Sequence, residues 1–283
     1  MISVGRVNRF PVVERTPFGL QLDAGNGRTV LLPQRNVPKD RDLKPGDEID
    51  VFIHYDSEDR LVATTETPKA QVGQFASLRV KDKNRVGIFL DWGLAKDLLL
   101  PHSEEFKPLN VGDHVVVYVF LDDRRGRITA SAKIERYLDK EPARYRTGDE
   151  VDLLPVSGTD LGVKAIINHL HWGLLHHSEL NRFIPMGKPF RGYIKEVRPD
   201  GKISLSLDPV GQKAVIGLAE QVLAKLEEEG GILMLSDKSS PELIKRVFNT
   251  SKGSFKKAIG TLYKEGKIVI HPDRIERSKS PSG

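Results

Sequence analysis

The sequence predicts a mainly β chain: three small five-stranded barrels in tandem, followed by a C-terminal α/β module. Three observations carry this expectation. One order of glycines, alternating strands and turns recurs three times at a spacing of roughly 70 residues. The apolar period then changes from two to helical near residue 211. Finally, residues 238–283 carry eleven Lys/Arg against four Asp/Glu, a net of +7, which leaves −2 for residues 1–237.

Each repeat opens near a glycine, Gly5, Gly73 or Gly148, followed by alternating apolar residues. A second glycine leads a short strand: Gly19-Leu20-Gln21-Leu22, Gly87-Ile88-Phe89-Leu90 and Gly162-Val163-Lys164-Ala165. A third strand closes on a turn, as Val30–Pro33, Leu98–Pro101 and Gly173–His176. A further glycine, Gly46, Gly112 or Gly187, introduces the fourth strand. The fifth begins on a basic residue: Arg60-Leu61-Val62, Arg127-Ile128-Thr129 and Lys202-Ile203-Ser204. Five short strands cannot bury both faces of an open sheet, whereas closure removes the edges and makes one compact core, the OB-fold solution. The expected boundaries are 1–67, 68–140 and 141–209.

Residues 210–283 complete the chain as a winged helix. Ala214–Leu226 reads as an amphipathic helix stopped by Gly230-Gly231. Ser240-Pro241 starts a second helix that runs to about Phe248, since serine caps and proline fits the first turn. Ser251–Ser254 reads as a turn. A third helix follows, with Phe255, Ala258, Ile259 and Leu262 at helical spacing. Gly266 precedes a strand at 267–270 and a charged hairpin at 271–277.

The 283 residues are 39% hydrophobic and 29% charged, values of a soluble globular protein. No apolar run approaches the roughly 20 residues a membrane helix needs, and Arg6 interrupts any signal-peptide core. The expected location is cytoplasmic, away from membranes. Zero cysteines exclude disulfides and Cys-ligated zinc. His169, His171, His176 and His177 lack a carboxylate spacing that would complete a metal site. No nucleophile elbow, phosphate-binding loop or carboxylate pair is visible, so the expectation is a binding protein without enzymatic activity, metal or cofactor.

Gly87–Leu90, Leu100-Pro101-His102-Ser103-Glu104, Val111-Gly112-Asp113 and Arg127–Lys133 resemble the S1 RNA-binding domain, as does Gly173–Leu180 in the third repeat. Three such S1-type barrels with a winged helix resemble the bacterial CvfB/YitL family (conserved virulence factor B). The resemblance implies a binding patch of two strand aromatics, a histidine ending the third strand and a basic residue starting the last. Phe18 matches the first aromatic, where the other repeats have Val86 and Leu161. Phe89 matches the second, where Gln21 and Lys164 stand elsewhere. His176 matches the histidine, replaced by Pro33 and Pro101. Arg60, Arg127 and Lys202 hold the basic position, and no repeat keeps the whole patch.

Phe89 lies between Ile88 and Leu90, which the alternation sends inward, so its ring points outward, either to stack a base or to cover an interface. Arg124, Arg125 and Arg127 stand near it in a repeat of net +3, against −2 and 0 for the first and third. Lys164, His169, His171, His176 and Arg191 make a more polar surface on the third repeat. Trp92 and Trp172 read as core residues covering turns. In the winged helix, Lys252, Lys256 and Lys257 sit at the start of the recognition helix, with Lys264, Lys267, Arg274 and Arg277 flanking it. Such a cluster neutralises phosphates; the alternative is docking on the barrels or on another protein.

The leading expectation is a regulator that binds single-stranded RNA, with mRNA as the natural class. Alternatives are a DNA-binding transcription regulator led by the winged helix, and a protein-binding adaptor at the ribosome or polymerase.

Overall fold

The computed structural model describes residues 2–56, 58–122, 126–180 and 182–278. The first barrel comprises β1 Val7–Thr16, β2 Gly19–Asp23, β3 Thr29–Pro33, β4 Glu48–Tyr55 and β5 Leu61–Thr64. The second comprises β6 Phe75–Lys83, β7 Gly87–Asp91, β8 Leu98–Pro101, β9 His114–Asp122 and β10 Arg127–Ser131. The third comprises β11 Glu150–Thr159, β12 Gly162–Ile167, β13 His171–His176, β14 Phe190–Val197 and β15 Ile203–Ser206. All three are closed with one topology, first strand to second, third, fifth and fourth, as the sequence predicts. Trp172, expected ahead of the third strand, lies within β13.

Closure of so small a barrel requires a bend in the long first strand. A β-bulge supplies it at the same place in every copy: between Val12 and Glu14, Val80 and Asp82, and Pro155 and Ser157. The parallel contact of third and fifth strands also recurs, as Leu31 beside Val62, Leu99 beside Thr129 and Leu174 beside Ser204.

The glycines that open β2 and β7 have a packing cause. A Cβ on Gly19 would stand 2.0 Å from the Leu32 carbonyl oxygen, and one on Gly87 would stand 2.5 Å from that of Leu100. Strands two and three approach too closely there for any side chain. Gly87→Ala therefore destabilises the protein by about 1–3 kcal/mol, the usual cost of forced overpacking. A thermal melt checks this, and an unchanged midpoint would refute the close-approach argument.

The chain divides into two compact units. The first is Met1–Pro142 with Leu153–Trp172 and Arg182–Phe190; the second is Ala143–Asp152, Gly173–Asn181 and Arg191–Gly283.

Within the first unit, Val51 and Ile53 face the core of the first barrel with Leu20, Leu22 and Leu32. Phe52, between them on the opposite face of β4, is nonetheless only 1% exposed. It joins the core cluster of the second barrel, with Ala70, Leu90 and Leu94, and meets Trp92 edge-on at 5.7 Å between centroids. Gln71 adds a polar tie, accepting from the Val7 amide at 3.0 Å.

A second apolar cluster joins Phe75, Ile134 and Leu138 to Leu154 and Ile166 of the third repeat. The Phe75 amide donates to His169 Nδ1 at 3.0 Å, and the two rings stack. Lys164 Nζ sits 3.8 Å from the Trp172 ring centroid and donates to Glu135 at 2.9 Å. Trp172 Nε1 donates to the same carboxylate at 2.7 Å.

In the second unit, α1 Gln212–Glu228, β16 Ile232–Leu233, α2 Pro241–Phe248, α3 Lys252–Lys264, β17 Ile268–Ile270 and β18 Ile275–Arg277 form the winged-helix region. Val222 and Leu226 of α1 pack with Ile244 of α2 and with Phe255, Ile259 and Leu262 of α3. The strands form a small sheet in the order β16-β18-β17. Ser240 caps α2 by accepting from the Leu243 amide, with Pro241 in the first turn.

Two details depart from the sequence reading. Ser251–Ser254, expected as a turn, is the cap and first turn of α3: Ser251 Oγ accepts from the Ser254 amide at 3.1 Å. The two-residue β16 was not expected, because only its pairing with distant β18 makes it a strand.

Candidate nucleic-acid interface

Phe89 projects from the face of β7 opposite Ile88 and Leu90, as the alternation requires. It lines a cavity of about 350 Å³ together with Trp92, Lys96 and Arg127 of the second barrel. His54 and Tyr55, at the end of β4 in the first barrel, also line it. A volume at the lower end of the roughly 300–1,000 Å³ typical of small-ligand sites suits one flat group rather than a large ligand. Burial pushes the His54 imidazole below its ordinary pKa of 6.5, so at pH 7 the ring is neutral and adds no cation. The positive charge comes from Lys96 and Arg127.

Both cations are held by the loop joining β4 to β5. Arg127 donates to the Asp59 carboxylate. Lys96 Nζ donates to the Asp56 carbonyl at 2.7 Å and lies 3.4 Å from Asp59 Oδ1. The other two fifth-strand cations are paired within their own barrels: Arg60 with Asp56 and Glu58, each at 2.8 Å, and Lys202 with Asp200 at 3.6 Å.

The remaining sequence candidates disperse. Phe18 is 75% exposed at the turn before β2 and does not line the cavity. Arg124 and Arg125 lie outside the described residues. Lys164 is engaged with Glu135 and Trp172, and His169 with Phe75. His171 is buried, with Nε2 2.7 Å from the Glu141 carbonyl oxygen. Of the polar surface expected of the third repeat, His171 is buried, while Lys164 and His169 stay partly exposed beside these partners. His176 ends β13, 3.4 Å from Ser204 Oγ, and Arg191 meets Asp152 at 2.9 Å. Among the described residues, no group of three His, Asp or Glu is placed to hold a metal ion.

In the winged-helix region the cations divide into two sets. Those of the wing are neutralised nearby: Lys267 by Glu265, Arg274 by Glu276 and Arg277 by Glu227. Lys256 lies 3.8 Å from Asp237. Among the described residues, Lys252, Lys257 and Lys264 of α3 have no ion partner, and neither do Lys245 and Arg246 of α2. The sequence reading missed Lys245 and Arg246. Their signal was the helical period itself, which sends Leu243, Ile244 and Phe248 inward and leaves both cations out. His54, Tyr55, Lys96 and Asp59 gave no local signal, because the cavity joins two barrels.

Residues 220–276 match the CvfB-like winged helix domain, and residues 4–66 and 72–133 each match the S1 domain. YitL of Bacillus subtilis (strain 168) is 32% identical over 271 residues, covering 90% of this chain and 87% of that protein. The chain belongs to the CvfB/YitL family. Conserved virulence factor B of Staphylococcus aureus (strain MSSA476) is 28% identical over 283 residues, 98% of this chain and 94% of its own. A solved multidomain protein with nucleic acid binding domains, from Streptococcus pneumoniae TIGR4, aligns over 97% of this chain and 98% of its own at 24% identity and a TM-score of 0.40. Within the CvfB/YitL architecture, the cavity belongs to the S1-matching part, and the unpaired helical cations belong to the winged helix.

Proposed function

We propose that the chain binds single-stranded RNA, with mRNA as its natural class, and acts in post-transcriptional regulation without catalysing a reaction. The observation that carries this reading is the convergence of the Phe89 ring and the Arg127 guanidinium on one cavity. A ring stacks any base, and a cation beside it takes the adjoining phosphate. S1-domain membership agrees with a polynucleotide ligand.

We further propose four modules, 1–67, 68–140, 141–209 and 210–283, that act by adding weak sites on one chain. A strand bound at one module meets the next at high effective concentration, so incomplete patches still give useful affinity. In this scheme Phe18, Arg60 and Lys202 are accessory contacts, and His176 is the candidate partner of a ribose 2′-hydroxyl.

The winged helix contributes phosphate contacts chiefly from the cations of α2 and α3 that have no ion partner among the described residues, and secondarily from the wing, whose exposed pairs hold weakly. Replacing Lys245, Arg246, Lys252 and Lys257 by Gln is therefore expected to weaken binding and to flatten the slope of log K against log salt by about 2.8, at ~0.7 per lost contact with a single strand. Titrations of single-stranded RNA, single-stranded DNA and duplex DNA at several salt concentrations check this. An unchanged slope would remove these residues from the interface. Tightest binding to duplex DNA would favour the DNA-regulator reading instead.

A further inference from the structure

We infer that the strand-binding site of the second barrel is completed by the first, and that Asp59 is a resident counter-anion which the RNA backbone displaces. The inference rests on the proposed RNA binding. Of the three basic residues that start a fifth strand, Arg127 is the one paired to a different barrel. Asp59 also reaches Lys96, so one carboxylate covers both cations lining the cavity. His54 and Tyr55, from the strand that leads into the same loop, line the same cavity as Phe89.

The chemistry is an ion exchange in which no covalent bond changes. A phosphodiester arriving with its base against Phe89 takes over Arg127 and Lys96, and Asp59 returns to water. The cost is small, since Asp59, Arg127 and Lys96 are each between two-fifths and three-fifths exposed and exposed pairs hold weakly. The two barrels stay joined during the exchange, because Phe52 packs in the core cluster of the second barrel independently of this pair. An anion enters only by outcompeting a carboxylate, so the arrangement selects against weak or isolated anions and favours a strand whose base is stacked at the same time.

Asp59→Asn tests this in the full-length chain. Asp59 has φ +58°, a left-handed conformation that asparagine tolerates well, so the loop keeps its geometry. The variant is expected to bind a single-stranded RNA oligomer about threefold more tightly, in keeping with the weak hold of an exposed pair. Arg127→Gln and the double variant close the cycle: if Asp59 acts through Arg127, most of the gain disappears in the Arg127→Gln background. A thermal melt run in parallel reads the loss of the ion pair separately.

If the parent binds RNA and Asp59→Asn binds equally or more weakly with an unchanged melting midpoint, the inference is wrong. A gain that survives intact in Arg127→Gln also overturns it. If only the variant binds RNA, Asp59 blocks the site rather than yielding it, and both the displacement and the proposed RNA binding of the native chain fail. If neither binds, both fall.

Discussion

Phe52→Ala is expected to lower stability by about 3–5 kcal/mol, the cost of truncating a fully buried phenylalanine. The ring leaves the first barrel and fills the core cluster of the second, against Trp92 and among Ala70 and Leu94. Its removal opens a void between two barrels at once. Urea denaturation followed by tryptophan fluorescence checks the prediction, since Trp92 is the reporter in contact with the lost ring. Phe18→Ala is the control: a ring 75% exposed to solvent should change stability by no more than about 0.5 kcal/mol. Comparable small losses in both variants would mean that the barrels are not held together by this contact.

The second large effect is on binding. Phe89→Ala is expected to weaken binding of single-stranded RNA by about 1–3 kcal/mol, the range for a base-stacking aromatic. Phe89 is half-buried, in a cavity that also presents Arg127 and Lys96, so a stacked base and its phosphate can be held together. Phe18 matches the other aromatic position that the S1 resemblance implies, but it projects into solvent and does not line the cavity. Phe18→Ala should therefore cost less. Fluorescence anisotropy with a labelled oligomer measures both, with thermal melts to establish folding. Equal, small losses would show that neither ring is a stacking platform.

The two experiments separate aromatic residues that look alike along the chain. Phe52, Phe75 and Phe89 each stand on a strand, out of phase with the inward-facing residues of their own barrel, and Phe18 stands at the turn before β2. Phe52 and Phe75 are buried against neighbouring barrels, Phe89 lines a cavity between two barrels, and Phe18 meets water. The candidate cations diverge in the same way. Arg127 is bridged to Asp59, 68 residues away in sequence, and Lys164 is held by Glu135 and Trp172. Arg274 and Arg277 are covered by Glu276 and Glu227, whereas Lys245 and Arg246 are left without an ion partner among the described residues.

The three barrels, the helices of the winged-helix region and the S1 resemblance are legible in the residues alone. These depend on short-range rules: period-two alternation, glycine where strands press together, serine and proline at a helix start. Each operates within a few residues and leaves its mark there. What each outward face meets depends on how the barrels pack. Alternation places a side chain on one of two sides of a strand, and says nothing of whether the far side is water, another barrel or a cavity. Net charge likewise sums over residues, while the field a phosphate meets depends on which cations already lie beside carboxylates brought in from elsewhere in the chain.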